Sequence, residues 1–171
     1  MSFRKKALAL SILIINTNSV AEPTDSFNKA KKIMMESIYF DHHETLYCGA
    51  EFDIKKKVIP PKGFSTDKYK KRAKRIEWEH VVPAENFGRT FKEWREGHPD
   101  CVNKKGKSFK GRSCASKVNT EYRYMQSDLY NLYPAIGAVN AMRSNFNFTV
   151  LAGEEADFGA CQVKVENKKA E

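Results

Sequence analysis

The chain has 171 residues, with 30 Lys plus Arg against 21 Asp plus Glu and a formal charge of +9. That excess is compatible with an anionic partner and by itself says no more. The four cysteines Cys48, Cys101, Cys114 and Cys161 show no C-x-x-C spacing, which argues against a structural zinc site. No segment is long and uncharged enough to serve as a membrane span of ~20 residues.

Arg4, Lys5 and Lys6 precede an apolar run at residues 7–15 and a small-residue stretch ending Ser19-Val20-Ala21, the pattern of a secretory signal peptide over residues 1–21. Residues 22–171 are then expected to be one soluble, monomeric domain in the periplasm or outside the cell, of about 150 residues. In an oxidising compartment four cysteines predict two disulfides, for which three pairings exist. Cys101 with Cys114 closes a Gly/Lys/Ser-rich loop, and Cys48 with Cys161 follows by elimination. Each bridge is worth about 2 to 4 kcal/mol.

Along the chain, Phe27, Ala30, Ile33, Met34 and Ile38 fall near a 3.6-residue period between lysines, which predicts an amphipathic helix over residues 26–38. A short strand is expected at Val58-Ile59, ended by Pro60-Pro61. Residues 68–75 hold six cations in eight positions, then switch to Ile76-Glu77-Trp78-Glu79-His80-Val81-Val82-Pro83, a strand closed by a proline. A short helical stretch follows Ala84, and residues 97–116, with Pro99, Gly106 and Gly111, predict a polar, basic loop. Residues 120–128 look helical and residues 129–133 extended, because Pro134 disfavours helix in its predecessor. Pro134 suits the first turn of a helix running to about Arg143. Residues 146–151 and 162–165 are candidate strands.

The chemistry concentrates in two segments, Glu77-Trp78-Glu79-His80 and Asp128-Leu129-Tyr130-Asn131-Leu132-Tyr133-Pro134 followed by Val139-Asn140 and Arg143-Ser144-Asn145. Histidine is the side chain suited to deprotonating water near neutral pH. A carboxylate and an amide carbonyl suit a hard divalent cation, which phosphodiester hydrolysis uses to stabilise charge on phosphate and leaving oxygen. Asn140, flanking an apolar helix stripe, is either a ligand or a brace for a neighbouring loop, since a buried amide needs a partner. Asn131 reads as structural, holding the His80 backbone. The cations Lys70, Lys71, Arg72, Lys74 and Arg75 are candidate phosphate contacts, which would bind without reading bases. His42-His43 reads as a surface pair, His98 as a loop residue, and Trp78, Phe87 and Trp94 as core.

Residues 77–88 and 128–145 resemble the two signature stretches of the bacterial endonuclease I family, in the ββα-metal (His-Me finger) group. The resemblance runs from about Ser26 to the last residue. It implies an α+β fold around a ββα-metal core and a metal-dependent, sequence-non-specific endonuclease cutting DNA, and RNA as well, to 5′-phosphate ends. It makes His80 the general base and Glu79 and Asn140 the ligands of Mg²⁺, or of Ca²⁺ or Mn²⁺. It also implies an arginine between the two motifs that holds the phosphate, for which Arg95 is the candidate. Because successive strand residues face opposite ways, Glu79 and His80 can both reach one site only if the strand twists or bulges.

Three departures stand out. The family's Gly-Glu-Val-Asn-Gly is here Gly137-Ala138-Val139-Asn140-Ala141, so an acid expected near the metal is absent. The family's Cys-Gly-Cys is Cys48-Gly49-Ala50. The chain ends at Glu171, several tens of residues short of the family pattern. These departures keep two alternatives to an active enzyme open, an inactive shortened remnant and a non-catalytic secreted DNA-binding protein.

Overall fold

The computed structural model describes residues 23–153 and 156–171; the predicted leader lies outside them. The architecture is α+β, as expected. Helix α1 (Phe27–Ile33) is capped by Ser26, whose Oγ accepts from Lys29 N at 3.3 Å, and continues as a π-helical turn over Met34–Ile38. Its apolar stripe buries Ala30 and Met34. Strands β1 (Glu51–Phe52) and β2 (Val58–Ile59) form a small antiparallel hairpin. A 3-10 turn at Arg72–Lys74 leads into β3 (Ile76–His80).

Between β3 and its partner β4 (Leu132–Ile136) the chain makes a long excursion through α2 (Ala84–Gly88), α3 (Lys92–Arg95), α4 (Arg112–Val118) and α5 (Thr120–Gln126). The excursion has its own small core, in which Ala84, Phe87, Ala115 and Tyr122 pack with Phe91 and Trp94. The Cys101–Cys114 disulfide ties its basic loop down. Helix α6 (Gly137–Arg143) follows β4 directly, and β5 (Asn147–Phe148), β6 (Val165–Glu166) and β7 (Lys169–Ala170) form a separate three-stranded sheet in the order β5-β7-β6. The main core gathers α1, β3, β4 and α6 around Met34, Ile76, Trp78, Leu132, Ile136 and Val139, and the Cys48–Cys161 disulfide lies beside it.

Four local expectations are corrected. Residues 129–133 are not all extended: Leu129–Asn131 form a 3-10 turn, and β4 begins at Leu132. Pro134 is not the first turn of a helix: it sits in β4 opposite Trp78, and its carbonyl accepts from Leu46 N at 2.8 Å. Its backbone polar groups therefore point away from β3, onto an edge where a missing N–H breaks no ladder bond. The helix begins only at Gly137, where an added Cβ would lie 2.5 Å from the Arg72 carbonyl oxygen. Residues 97–116 are not all loop, because α4 starts at Arg112 behind Gly111, held at φ +73. The last predicted strand is displaced to Val165–Glu166.

Candidate functional site

β3 and β4 pair in unbroken antiparallel register, from Ile76 opposite Ile136 to His80 opposite Leu132. No bulge interrupts the ladder. Glu79 and His80 still share one site because a cleft of about 740 Å³ runs along β3, lined by every residue of that strand. The sheet has two strands, and among the described residues no strand pairs with the edge of β3 away from β4 beyond its first residue, where Ile76 N donates to Lys56 O. Side chains from both faces of the strand flank that edge.

His80 is held on three sides. Its ring stacks on Phe27 of α1 at 5.3 Å between centroids and is tilted against Phe87 of α2 at 6.2 Å. Nε2 lies 2.9 Å from the backbone carbonyl of Gln126, at the end of α5. A carbonyl can only accept, so Nε2 carries the proton and Nδ1 keeps its lone pair. The excursion thus contributes the group that fixes the tautomer. Burial lowers the imidazole pKa to about 4; the Gln126 hydrogen bond opposes this, and the charges of Arg112 and Arg143 add to it. The ring is neutral throughout the neutral range, so Nδ1 offers a free lone pair.

Glu79 is 2 % exposed. Its Oε1 accepts from the Tyr47 hydroxyl at 3.1 Å and pairs with Arg143 Nη1 at 3.0 Å. Burial raises its pKa to about 7 despite these partners, because removing a carboxylate from water outweighs one ion pair and one hydrogen bond. Arg143, 1 % exposed, also donates to the carbonyls of His80, at 2.8 Å, and Val81, and its guanidinium lies over the Phe148 ring at 4.6 Å. Burial and the nearby Glu79 charge push the Tyr47 phenol up, so it remains a donor. Both contacts to Glu79 fall on Oε1; among the described residues Oε2 has no partner.

Glu77, two residues earlier on the same face of β3, serves differently. It pairs with Arg72 through both carboxylate oxygens, lies 3.5 Å from Arg75, and accepts from Asn140 Nδ2 at 3.2 Å. That contact sets the Asn140 amide so that Oδ1 remains an acceptor. Glu79 Oε2 and Asn140 Oδ1 are thus two oxygen acceptors in one cleft. Among the described residues no group of three or more His, Cys, Asp and Glu could hold a metal. A carboxylate–amide pair is a sparse, all-oxygen donor set that fits a hard cation keeping several waters.

Of the predicted residues, the cleft brings together His80, Glu79, Asn140, Arg72 and Arg75. Lys70, Lys71 and Lys74 do not line it. Arg95 does not reach it either: its Nη1 donates to the carbonyls of Arg89 and Thr90 at 2.6 and 2.7 Å, which closes the α2–α3 turn. The arginine that the excursion sends to the cleft is Arg112. Asn131 accepts from Val82 N at 2.7 Å and donates to Val82 O at 3.0 Å, two residues beyond His80. His98 lies in the excursion's loop, its Nδ1 accepting from Asp100 N at 3.2 Å. His42 pairs with Glu44, and His43 lies against Phe52. Ala138, where the resemblance placed a missing acid near a metal, is 0 % exposed in the main core, so that departure falls in packing and outside the cleft.

Tyr47, Glu77, Arg112 and Arg143 were not predicted as site residues. Glu77 carried a signal, its i, i+2 spacing from Glu79, which puts both carboxylates on one strand face. Arg143 carried another, at i+3 from Asn140 on the helix. Tyr47 and Arg112 are joined to the site by tertiary folding alone.

The fold places a neutral, oriented histidine in a cleft lined by lysines and arginines. Residues 24–170 match the family model described as Endonuclease I, and the chain belongs to the endonuclease I family. It is 35 % identical over 164 residues to an extracellular deoxyribonuclease of Aeromonas hydrophila, covering 94 % of this chain and 66 % of that protein. It is 34 % identical to a periplasmic deoxyribonuclease of the same organism, covering 92 % and 62 %. It is also 35 % identical to Endonuclease-1 of Buchnera aphidicola subsp. Acyrthosiphon pisum, covering 85 % and 54 %. The chain thus spans between about half and two thirds of the length of the curated relatives it matches.

Proposed function

We propose that the protein is an exported, Mg²⁺-dependent endonuclease that hydrolyses DNA, and RNA as well, without sequence specificity. The observation that carries this reading is the Nε2 contact of His80 with the Gln126 carbonyl, which leaves the Nδ1 lone pair free in a cationic cleft beside two oxygen acceptors. Relatives named as extracellular and periplasmic deoxyribonucleases support both the substrate and the export. The contacts the cleft offers a polynucleotide are cations for phosphates, which supports indifference to base and sugar.

In the mechanism, His80 Nδ1 accepts a proton from a water molecule. The water oxygen forms a bond to phosphorus in line with the P–O3′ bond, which breaks to leave a 5′-phosphate, and the departing O3′ takes a proton from solvent to become a 3′-hydroxyl. Arg112 lies at the cleft to hold a non-bridging phosphate oxygen. Glu79 Oε2 and Asn140 Oδ1 would hold the divalent cation. When bound, that cation supplies charge stabilisation to the phosphate and the departing oxygen. Arg143 and Tyr47 fix Glu79 by its other oxygen, and Glu77 fixes Asn140.

The test incubates the oxidised protein with Mg²⁺ and supercoiled plasmid, with EDTA and His80→Ala as controls. Nicking lost in both controls is expected. Absence of nicking by a folded wild type overturns the enzymatic reading; salt-sensitive DNA retention by that inactive protein would leave a binding module.

A further inference from the structure

The cations of the cleft are not equivalent. Arg72 and Arg75 are paired with Glu77, and Arg143 with Glu79. Among the described residues no acidic side chain pairs with Lys31, Lys55, Lys56 or Arg112, which line the same cleft. The unneutralised charge therefore comes from segments far in sequence from the basic run at residues 68–75. Lys31 extends from α1 with Nζ over the Phe27 ring at 4.7 Å. Lys55 and Lys56 sit together in the β1–β2 turn.

That turn is built and fastened. Asp53 organises it: its Oδ1 accepts from Lys57 N at 2.8 Å and its carbonyl accepts from Lys56 N at 2.8 Å. Lys56 has φ +67, the left-handed region that suits glycine and strains other residues. The Lys56 carbonyl accepts from Ile76 N at 2.9 Å, at the first residue of β3, and Lys57 bridges Arg75. The backbone conformation is thus held by the strand that carries His80, and a lysine occupies a position where glycine would be less strained.

We propose that the β1–β2 turn is a phosphate grip: Lys55 and Lys56 hold backbone phosphates of the bound strand beyond the scissile one, in the cleft that Lys31 also lines. This rests on the nucleic-acid reading above and adds where the flanking nucleotides lie. Because the turn is hydrogen-bonded to the start of β3, those phosphates are held at a fixed distance from His80. The grip raises affinity and on-rate without touching the reacting atoms.

The test measures binding of a fluorescein-labelled 12-nucleotide single strand by anisotropy in EDTA over a range of NaCl, for wild type, Lys55→Ala/Lys56→Gly and a control, Lys104→Ala/Lys105→Ala, outside the cleft. The slope of log K against log salt should fall by roughly 1.4 for the turn variant, about 0.7 per lost phosphate contact, and by clearly less for the control. The glycine keeps the turn, so the melting midpoint should match or exceed wild type. With Mg²⁺ and a plasmid, KM should rise and kcat stay near wild type. An unchanged slope, or equal losses in both variants, overturns the grip even if the wild type nicks plasmid. Lack of nicking by a wild type that shows the expected slopes overturns the enzymatic reading and leaves the grip standing.

Discussion

Arg143 is 1 % exposed, and its replacement by methionine removes the partner of Glu79 Oε1 and the donors to two strand-end carbonyls while roughly filling its volume. Taking one member from a buried ion pair costs about 3 to 5 kcal/mol. The two carbonyls add to that if no water reaches them, at about 1 to 3 kcal/mol for an unsatisfied buried group. The pH dependence separates these contributions. Glu79 titrates at about 7 in the fold against 4.5 unperturbed, so between those values the native state holds a proton that the unfolded state has lost. Stability therefore falls as pH rises through that window, by roughly 3 kcal/mol in all. Arg143 lowers this pKa; without it the carboxyl titrates still higher and the loss extends further up the scale. Urea unfolding of the oxidised protein in EDTA should show Arg143→Met destabilised by about 3 to 5 kcal/mol at pH 8 and by clearly less at pH 5, where Glu79 is protonated in both proteins. Adding Glu79→Gln should recover much of the deficit at pH 8, as expected of directly coupled residues. An equal deficit at both pH values, or no recovery in the double variant, would refute the claim that an unpaired Glu79 charge dominates.

His80, depressed to about 4, should show no titration of its ring protons by NMR between pH 5.5 and 8 in the metal-free protein; a midpoint near 6.5 would contradict the buried, neutral ring. It also makes the fold lose stability as pH falls from 6.5 towards 4, because the unfolded chain takes up a proton that the native ring refuses. Arg112→Ala should lower kcat/KM by about 10- to 100-fold, the loss of one charge-assisted contact of about 1.5 to 3 kcal/mol, with the thermal midpoint unchanged. Gly137→Ala should destabilise by about 1 to 3 kcal/mol through overpacking, since its Cβ would meet the Arg72 carbonyl oxygen at 2.5 Å and the Glu77 carboxylate at 3.0 Å; denaturant titration measures the cost. Opening the Cys101–Cys114 loop, a separation of 13 residues, by a double alanine substitution should cost about 3 kcal/mol in the same assay.

Elements with a strong local signal were legible in the sequence. The amphipathic period places α1, the charge-to-apolar switch places β3, and the loop composition marks the Cys101–Cys114 closure. Pro134 misleads because its helix-starting preference is local, whereas its place at the edge of a two-stranded sheet is a tertiary fact. Arg95 misleads likewise: it lies in the right interval, but its guanidinium is committed to the carbonyls of Arg89 and Thr90, and nothing in the sequence marks those as its partners. The run at residues 68–75 advertises charge, yet two of its arginines are paired with Glu77. Lys55 and Lys56, in a less conspicuous segment, reach the cleft because Lys56 O is hydrogen-bonded to the start of β3. Charge density along a chain does not reveal which cations have acidic neighbours in space.

The two carboxylates of β3 show how one strand face divides its work by environment. Glu77 is surrounded by donors, two arginines and an amide, and both of its oxygens are occupied. Its charge is matched on site, and it serves to orient Asn140 and to fix Arg72 and Arg75 at the cleft wall. Glu79 is deeper, its two donors converge on one oxygen, and its pKa is raised to about 7. Such a carboxylate is costly to keep ionised and has an oxygen to spare, so a second cation would find there both a vacant donor and an uncompensated desolvation energy to relieve. The same residue type two positions earlier offers neither. The distinction is made by Tyr47, Arg72, and Asn140 with Arg143 on α6, which reach this face from three different segments of the chain.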